Sequence, residues 1–306
     1  MKKIYNMKKG LPFFLLLFCC VSLVRQGVAQ INPLKAIYFQ NQYLANPAMA
    51  GLKEGLRLNL HYRNQWGSIP EAPATEAITA DYSLNSTVGL GLNLGQTREG
   101  VMKRSRAMAT YSYHLPLNEG NRKLHFGLSA GIVNEQIDMD EVVGDADDNT
   151  VTRFNDQKPY FEGEVGVAYT DDKLTVQGSF PNIRAFLDKS LNESNTINRS
   201  TYFAAASYRI TLGSGVGVEP KVVYRGVKGF DDLIDAGANL TFVDNQFNLF
   251  GMYHSSKNVT FGFGADVKRK LALTGMYTTG SSAMNSLEGV KGSFELGLRV
   301  SLWSAQ

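Results

Sequence analysis

Only two cysteines occur in the 306 residues, Cys19 and Cys20, and both fall within the first 29. With that stretch removed, disulfides, thiolate zinc sites and a cysteine nucleophile are excluded together. Long apolar runs are scarce too. The run from Leu11 to Val24 is short for a membrane span, and no later stretch approaches the roughly 18 consecutive apolar residues that a transmembrane helix needs. An excess of one charge is also missing. Five of the 31 basic residues and none of the 28 acidic ones lie in residues 1–29, so the remainder carries slightly more acid than base. Nothing in that balance asks for nucleic acid or another polyanion as partner.

What the chain does have begins with a lysine-bearing head, the apolar run, and small residues Gly27 and Ala29 ahead of Gln30. These read as a secretory signal peptide cleaved after residue 29. Phe18 and Cys19 are bulkier than a lipoprotein signal takes before its cysteine, so no lipid anchor is expected.

The stretch VGLGLNLGQTREG, residues 88–100, looks at first like a phosphate-cradling loop. A dinucleotide fingerprint wants G-x-G-x-x-G between a strand and a helix, but Gly89, Gly91 and Gly95 give G-x-G-x-x-x-G. Val88, Leu90, Leu92 and Leu94 alternate with Gly89, Gly91, Asn93 and Gly95, which is the period of a strand. The same alternation recurs over residues 56–66, 77–84, 88–95, 106–115, 123–132, 160–169 and 174–180. It continues over 201–210, 216–225, 234–242, 247–254, 259–268, 271–278 and 294–303, which makes fourteen strands. In LRLNLHYRNQW, Leu56, Leu58, Leu60 and Tyr62 share one face, and Arg57, Asn59, His61 and Arg63 the other. Across the set the apolar face carries no charge, and all four histidines fall on the polar face.

A soluble sandwich turns such polar faces to water, and an outer-membrane barrel turns them inward; periodicity alone does not choose. Three further features favour the barrel. About 20 residues per membrane strand and connection divide the cleaved chain into an even number near fourteen. The apolar faces end in aromatics such as Tyr62, Tyr113, Tyr169, Tyr208, Tyr224, Phe242 and Tyr253, as an interfacial girdle does. Long connections (67–76, 96–105, 133–159, 181–200, 226–233, 279–293) alternate with short ones (85–87, 170–173, 211–215, 243–246, 269–270), as surface loops alternate with periplasmic turns. In stretch 247–254 the pattern breaks: Phe250 and Met252 stand on the polar face. The expected fold is therefore all-β, a transmembrane barrel of about 14 antiparallel strands over 56–303. A signal peptide (1–29) and a short periplasmic or lumenal plug segment (30–55) precede it. Glycines on the inward face, such as Gly89, Gly91, Gly127 and Gly166, leave room where a strand bends or another stretch of chain packs inside.

From FQNQYLANPAMAGL (39–52), YRNQW (62–66), AMATYSYHLPL, KLHFGLSAGI and STYFAAASYRI, the chain resembles the PorP/SprF family of type IX secretion outer-membrane proteins over nearly its whole mature length. The resemblance implies an outer-membrane barrel of Bacteroidetes, with the amino terminus on the periplasmic side, that works with the type IX secretion and gliding machinery. It also implies protein partners: machine components, or an adhesin whose C-terminal domain the barrel helps to secrete or anchor at the surface. Where the family commonly shows an aromatic, this chain has Met49, and Trp303 stands one step out of phase with the final strand.

Two motifs are candidate contact sites. In NPAMAG, Asn46 before Pro47 favours a turn, and Gly51 supplies a residue free to take positive φ. The segment either feeds the chain into strand one or docks a partner through Asn46, Pro47, Ala48 and Gly51. At the outer end of strand one, Arg63, Asn64, Gln65 and Trp66 are either a girdle tryptophan with polar neighbours or a partner contact. The inward charges mix signs: Arg57, Arg209, Lys221, Arg225 and Arg299 stand against Asp81, Glu162, Glu164, Glu219, Asp235, Asp266 and Glu295. That mixture reads as a paired network bracing a filled interior, since an ion-selective pore more often lines itself with one sign.

Catalysis is not expected. His61, His114, His125 and His254 could each serve as a base beside Ser112, Ser129, Asp81 or Ser255, but no pair has diagnostic spacing. Asp145, Asp147 and Asn149 in the longest loop suggest weak surface calcium, yet glycine is missing at position six and glutamate at position twelve of an EF-hand loop. The expectation is no metal, no cofactor and no small-molecule substrate. Two function readings remain: a non-enzymatic docking barrel of type IX secretion, surrounded by outer-membrane lipid, or a porin or hydrophobic-solute channel with an N-terminal plug.

Overall fold

The computed structural model describes residues 37–66, 72–117, 121–138, 149–187, 200–213, 215–280 and 292–303. Strands β1 (Leu56–Asn64), β2 (Ala74–Ser83), β3 (Val88–Glu99), β4 (Met102–Pro116) and β5 (Lys123–Ile137) run up and down in sequence. Helix α1 (Asn149–Asn155) follows, then β6 (Tyr160–Thr170), β7 (Leu174–Phe180), helix α2 (Ile183–Leu187), β8 (Thr201–Tyr208) and the short β9 (Ile210–Gly213). β10 (Val216–Val227), β11 (Leu233–Phe242), β12 (Phe247–His254), β13 (Asn258–Val267), β14 (Leu271–Thr278) and β15 (Ser293–Leu302) complete the chain. Each strand pairs antiparallel with the next in a ring that skips only β9, and β15 pairs with β1 from Phe294↔Asn64 to Leu302↔Leu56. The result is a closed barrel of fourteen strands with one extra short strand, β9.

Burial decides between sandwich and barrel. Leu128 is 55% exposed and Phe161 78%, whereas His125, Asp235 and Glu295 are 0% exposed. Apolar residues cover the outside and polar ones fill the inside, an order that suits lipid: an unpaired Arg or Lys at the bilayer midplane costs about 2–4 kcal/mol. Among the described residues no helix is long and apolar enough to cross a membrane. The outward aromatics form two belts. Tyr62, Tyr224, Tyr253 and Tyr277 stand toward the long-loop end, and Tyr82, Tyr113 and Tyr208 toward the short-turn end.

Three features depart from expectation. First, residues 96–105 are not a long loop. β3 and β4 run on as a ladder to Glu99↔Met102, and Gly100 takes φ 57 in a two-residue turn. Such a turn needs positive φ at its first central residue, which glycine supplies; the polar run from Gln96 to Arg104 ends the hydrophobic alternation without ending the strand. Second, β8 and β9 are one strand interrupted at Arg209. Ser207↔Lys221 and Ile210↔Val218 keep the same register on β10, and the break faces Pro220, which has no N–H to give the ladder. Third, α1 and α2 form inside long connections that lack any strand alternation. Asn155 ties α1 to the end of β5, accepting the Ile137 N–H at 2.7 Å and donating to the Ile137 carbonyl at 2.9 Å.

Gly100→Val is expected to cost about 1–2 kcal/mol, because a β-branched residue resists positive φ. The midpoint of urea unfolding in detergent reads it; an unchanged midpoint contradicts the turn geometry.

Candidate functional site

The barrel is not empty. Residues 37–52 lie inside it as three single-turn 3₁₀ helices, Ile37–Phe39, Gln42–Leu44 and Pro47–Met49. Asn46 starts the last of these: its side-chain oxygen accepts the Ala48 N–H at 2.9 Å, and Pro47, which has no N–H to satisfy, takes the first position. The path is fixed by the wall it touches. Tyr38 meets Phe203 near the long-loop end of β8, and Gly51 donates to Asp81 near the short-turn end of β2. The segment therefore descends the lumen and turns directly into β1. The expected periplasmic amino terminus concerns residues 30–36, outside the described residues, as does the signal peptide.

Every level of the segment is held. The Asn41 amide donates to Thr79 Oγ1 at 2.8 Å, and the Tyr43 hydroxyl meets Thr110 Oγ1 at 2.7 Å. The Ser179 hydroxyl donates to the Ala45 carbonyl at 2.7 Å. The Asn46 amide bridges two strands, reaching the Val167 carbonyl at 3.1 Å, with the Gly178 carbonyl and Gln177 Oε1 each at 3.3 Å. Gln177 in turn donates to Gln42 Oε1 at 2.8 Å.

The lower end is held by a chain whose protons can be placed. His114 Nε2 lies 3.0 Å from the Ala50 carbonyl, which can only accept, so that nitrogen carries the proton. With both rings neutral, His114 Nδ1 accepts from His125 Nδ1 at 2.8 Å, and His125 Nε2 accepts from the Thr170 hydroxyl at 2.8 Å.

Glycine makes the seat. A Cβ on Gly127 would stand 2.1 Å from the Ala48 nitrogen, one on Gly91 2.4 Å from the Tyr43 hydroxyl, and one on Gly166 1.9 Å from Asn46 Oδ1. The segment occupies the space those side chains vacate. Its upper part is apolar: Ile37, Tyr38 and Ala45 pack with Phe203, Ala205, Val223, Phe250, Met252 and Met276, and the Phe39 ring lies 5.7 Å from Phe250. Phe250 and Met252, out of pattern on their strand, face inward because apolar chain lies there. Each buried side chain of this size contributes about 1.5–3 kcal/mol. The gap beside Ile37 and Asn41, bordered by Asn59, Ala272 and Gly297, measures about 20 Å³, room for one water.

The inward charges are matched. Arg57 holds Asp81 at 2.5 Å, Arg225 holds Asp235 at 2.7 Å, Arg299 holds Asp266 at 2.8 Å, and Arg106 holds Glu164. Glu295 takes His61 at 3.2 Å and Arg63 at 3.7 Å. Lys221 lies 3.6 Å from Glu219 and donates to the Tyr38 carbonyl at 3.0 Å. Glu162 accepts the N–H groups of Gly163 and Arg184. Arg209, at the strand break, is 67% exposed and 3.9 Å from Glu219. Arg104 and Arg106, paired with Glu135 and Glu164, are members that sequence reasoning missed. Arg104 and Glu135 lie where their strands run on past the apolar alternation, whereas Arg106 opens the stretch 106–115 itself.

The proposed contact residues divide. Asn46, Pro47, Ala48, Gly51, Arg63 and Gln65 are buried against the wall or within the lumen, while Asn64 and Trp66 are half-buried at the long-loop rim. Asp145 and Asp147 lie outside the described residues, as does the side chain of Asn149. Among the described residues no group of three metal-ligating side chains gathers.

One constellation resembles a hydrolytic triad. His254 Nδ1 meets Asp235 at 2.8 Å, and its Nε2 meets Thr260 Oγ1 at 2.8 Å. Thr260 is fully buried, however, and its hydroxyl also contacts Thr278 at 2.7 Å. No carbonyl substrate has room to approach it. The chain of bonds stitches β11 to β14 side by side.

The profile of a protein family described as type IX secretion system membrane protein PorP/SprF matches residues 27–300. No curated protein matches the sequence. Among solved structures, the outer membrane protein Omp33 of Acinetobacter baumannii superposes with a TM-score of 0.51 at 7% identity, covering 82% of this chain and 100% of that one. The KdgM porin gives a TM-score of 0.39 at 8% identity over 80% and 99% of the two chains. At these identities the first likeness shows the barrel fold and nothing more.

Gly127→Val is expected to unseat Pro47 and Ala48 while the barrel itself still forms. Added protease should then cut residues 37–52 in the variant and spare them in the parent, with heat-modifiable gel mobility unchanged in both. Asn46→Ala removes a cap and a two-strand bridge, and a loss of about 1–2 kcal/mol is expected in thermal unfolding.

Proposed function

The chain belongs to the PorP/SprF family of type IX secretion system membrane proteins, and on that premise we propose that it is a non-enzymatic outer-membrane barrel that docks protein partners. Its role is to assist secretion or surface anchoring of an adhesin through the adhesin's C-terminal domain, together with components of the secretion machine. The observation that carries this reading is the occupied lumen. A pore for solutes needs a continuous path, and here the barrel's own segment is hydrogen-bonded to the wall along its length. The paired charges point the same way, since a conducting path is more often lined with one sign.

With Asn46, Pro47 and Ala48 committed to the wall, partners meet the barrel at its two ends. Asn64 and Trp66 belong to the long-loop rim, where a surface-anchored partner would rest. Outer-membrane lipid surrounds the apolar outer face, and the reading asks for no cofactor, metal or small-molecule substrate. Asp145 and Asp147 are not needed for it.

The test is to extract the tagged protein from its native outer membrane in mild detergent and identify what accompanies it. Recovery of secretion-machine components or one large surface adhesin is expected, with Trp66→Ala weakening that recovery if the rim is the contact. The barrel recovered alone, together with steady solute conductance in planar bilayers, overturns docking in favour of a channel.

A further inference from the structure

The wall of the barrel has a notch. β7 has seven residues and ends at Phe180 because Pro181 follows and has no N–H for the ladder. β6 rises well past it. Its pairing with β7 starts only at Val165↔Phe180, so among the described residues the only strand paired with residues 161–164 is β5, where Phe161 sits opposite Ile132. At this height the edge of β6 beyond Val165 faces the apolar band, where backbone polar groups left open to hydrocarbon are costly.

Helix α2 fills the notch. The Arg184 N–H donates to Glu162 Oε1 at 3.0 Å, and Ile183 Cδ1 packs 3.4 Å from where a Cβ of Gly163 would stand. The Arg184 guanidinium lies 4.1 Å over the Tyr160 ring. From the β8 side, the Ser200 hydroxyl donates to the Ala185 carbonyl at 2.8 Å, and the Thr201 N–H donates to Asn182 Oδ1 at 2.9 Å. The polar groups of the turn are thus tied to the wall. Two of its apolar side chains stay open, Phe186 at 54% exposed and Leu187 at 76%.

Those two residues continue a surface already assigned to lipid. The Phe186 ring lies 5.8 Å from Phe180, and Phe180 lies 5.5 Å from Tyr202. Phe180 is an outward residue of the lipid-facing belt, level with Val165 and just below Phe161. We propose that α2 is a lipid-contacting helix that completes the barrel wall above β7 and places Phe186 and Leu187 in the membrane leaflet at the long-loop end. Lipid tails cover its apolar face, as they cover the neighbouring strands, and Arg184 stays at the rim, where a cation belongs near headgroups.

The test uses the full mature chain with Trp66 and Trp303 both changed to Phe, carrying either F186W or, as a reference of known placement, F180W. Each is reconstituted into phosphatidylcholine vesicles brominated at shallow or deep acyl positions. The expected result is strong quenching of F186W by shallow bromines, weaker quenching by deep ones, and little by aqueous iodide. L187W should behave in the same way. Iodide quenching of F186W without bromolipid quenching, while F180W in identical vesicles is quenched by bromolipid, overturns the proposal. It would assign the face to water or to another protein.

Discussion

The whole architecture depends on one constraint: the bilayer core offers backbone N–H and C=O groups no water to bond. Fourteen strands meet it only by closing, with β15 returning to β1, since an open sheet would leave an edge in hydrocarbon. Closure then dictates which way side chains face. Lipid selects Leu, Phe and Tyr outside, and everything polar on each strand is driven into a narrow interior where water is scarce. A polar group placed there must find a partner within the protein. Aspartates are therefore met by arginines one or two strands away, and histidines by carboxylates, hydroxyls or one another.

The segment from Ile37 to Leu52 answers the same constraint from the other side. Inward side chains of fourteen strands cannot fill the lumen evenly, and the small residues on β3, β5 and β6 leave a trough. The chain lays its own backbone in that trough, supplying carbonyls to Ser112, His114, Ser179 and Lys221 and an amide to Asp81. Where the wall turns apolar, at Phe203, Phe250 and Met276, the segment does too, with Ile37, Tyr38 and Phe39.

Much of this is legible in the sequence because a two-residue period is a direct projection of the membrane's demand. Every one of the fourteen alternating stretches lies on a ring strand. What escapes reading is set by other physics. The strands β3, β4 and β5 continue beyond the lipid, where hydrogen bonding holds and hydrophobic alternation stops, so Arg104 and Glu135 are read as loop. The glycines point to space inside without saying what fills it. Phe250 and Met252 are the clearest sign of an internal apolar partner, and they read as irregularities until Ile37 and Phe39 are seen against them. In α2, five residues fall below the length at which helical period can be recognised. Which partner the rim meets has no counterpart in any local pattern.

The segment enters β1 directly after Gly51, and β1 pairs with β15, the last strand. The filling is thus tethered to the first stave of a ring whose final stave comes from the far end of the chain. Contacts of such sequence separation form late. Once the seam shuts, the lumen can be reached only from its two mouths, past loops on one side and turns on the other. A ring closed with residues 37–52 still outside would hold a trough open to water, to be filled only through one of those mouths.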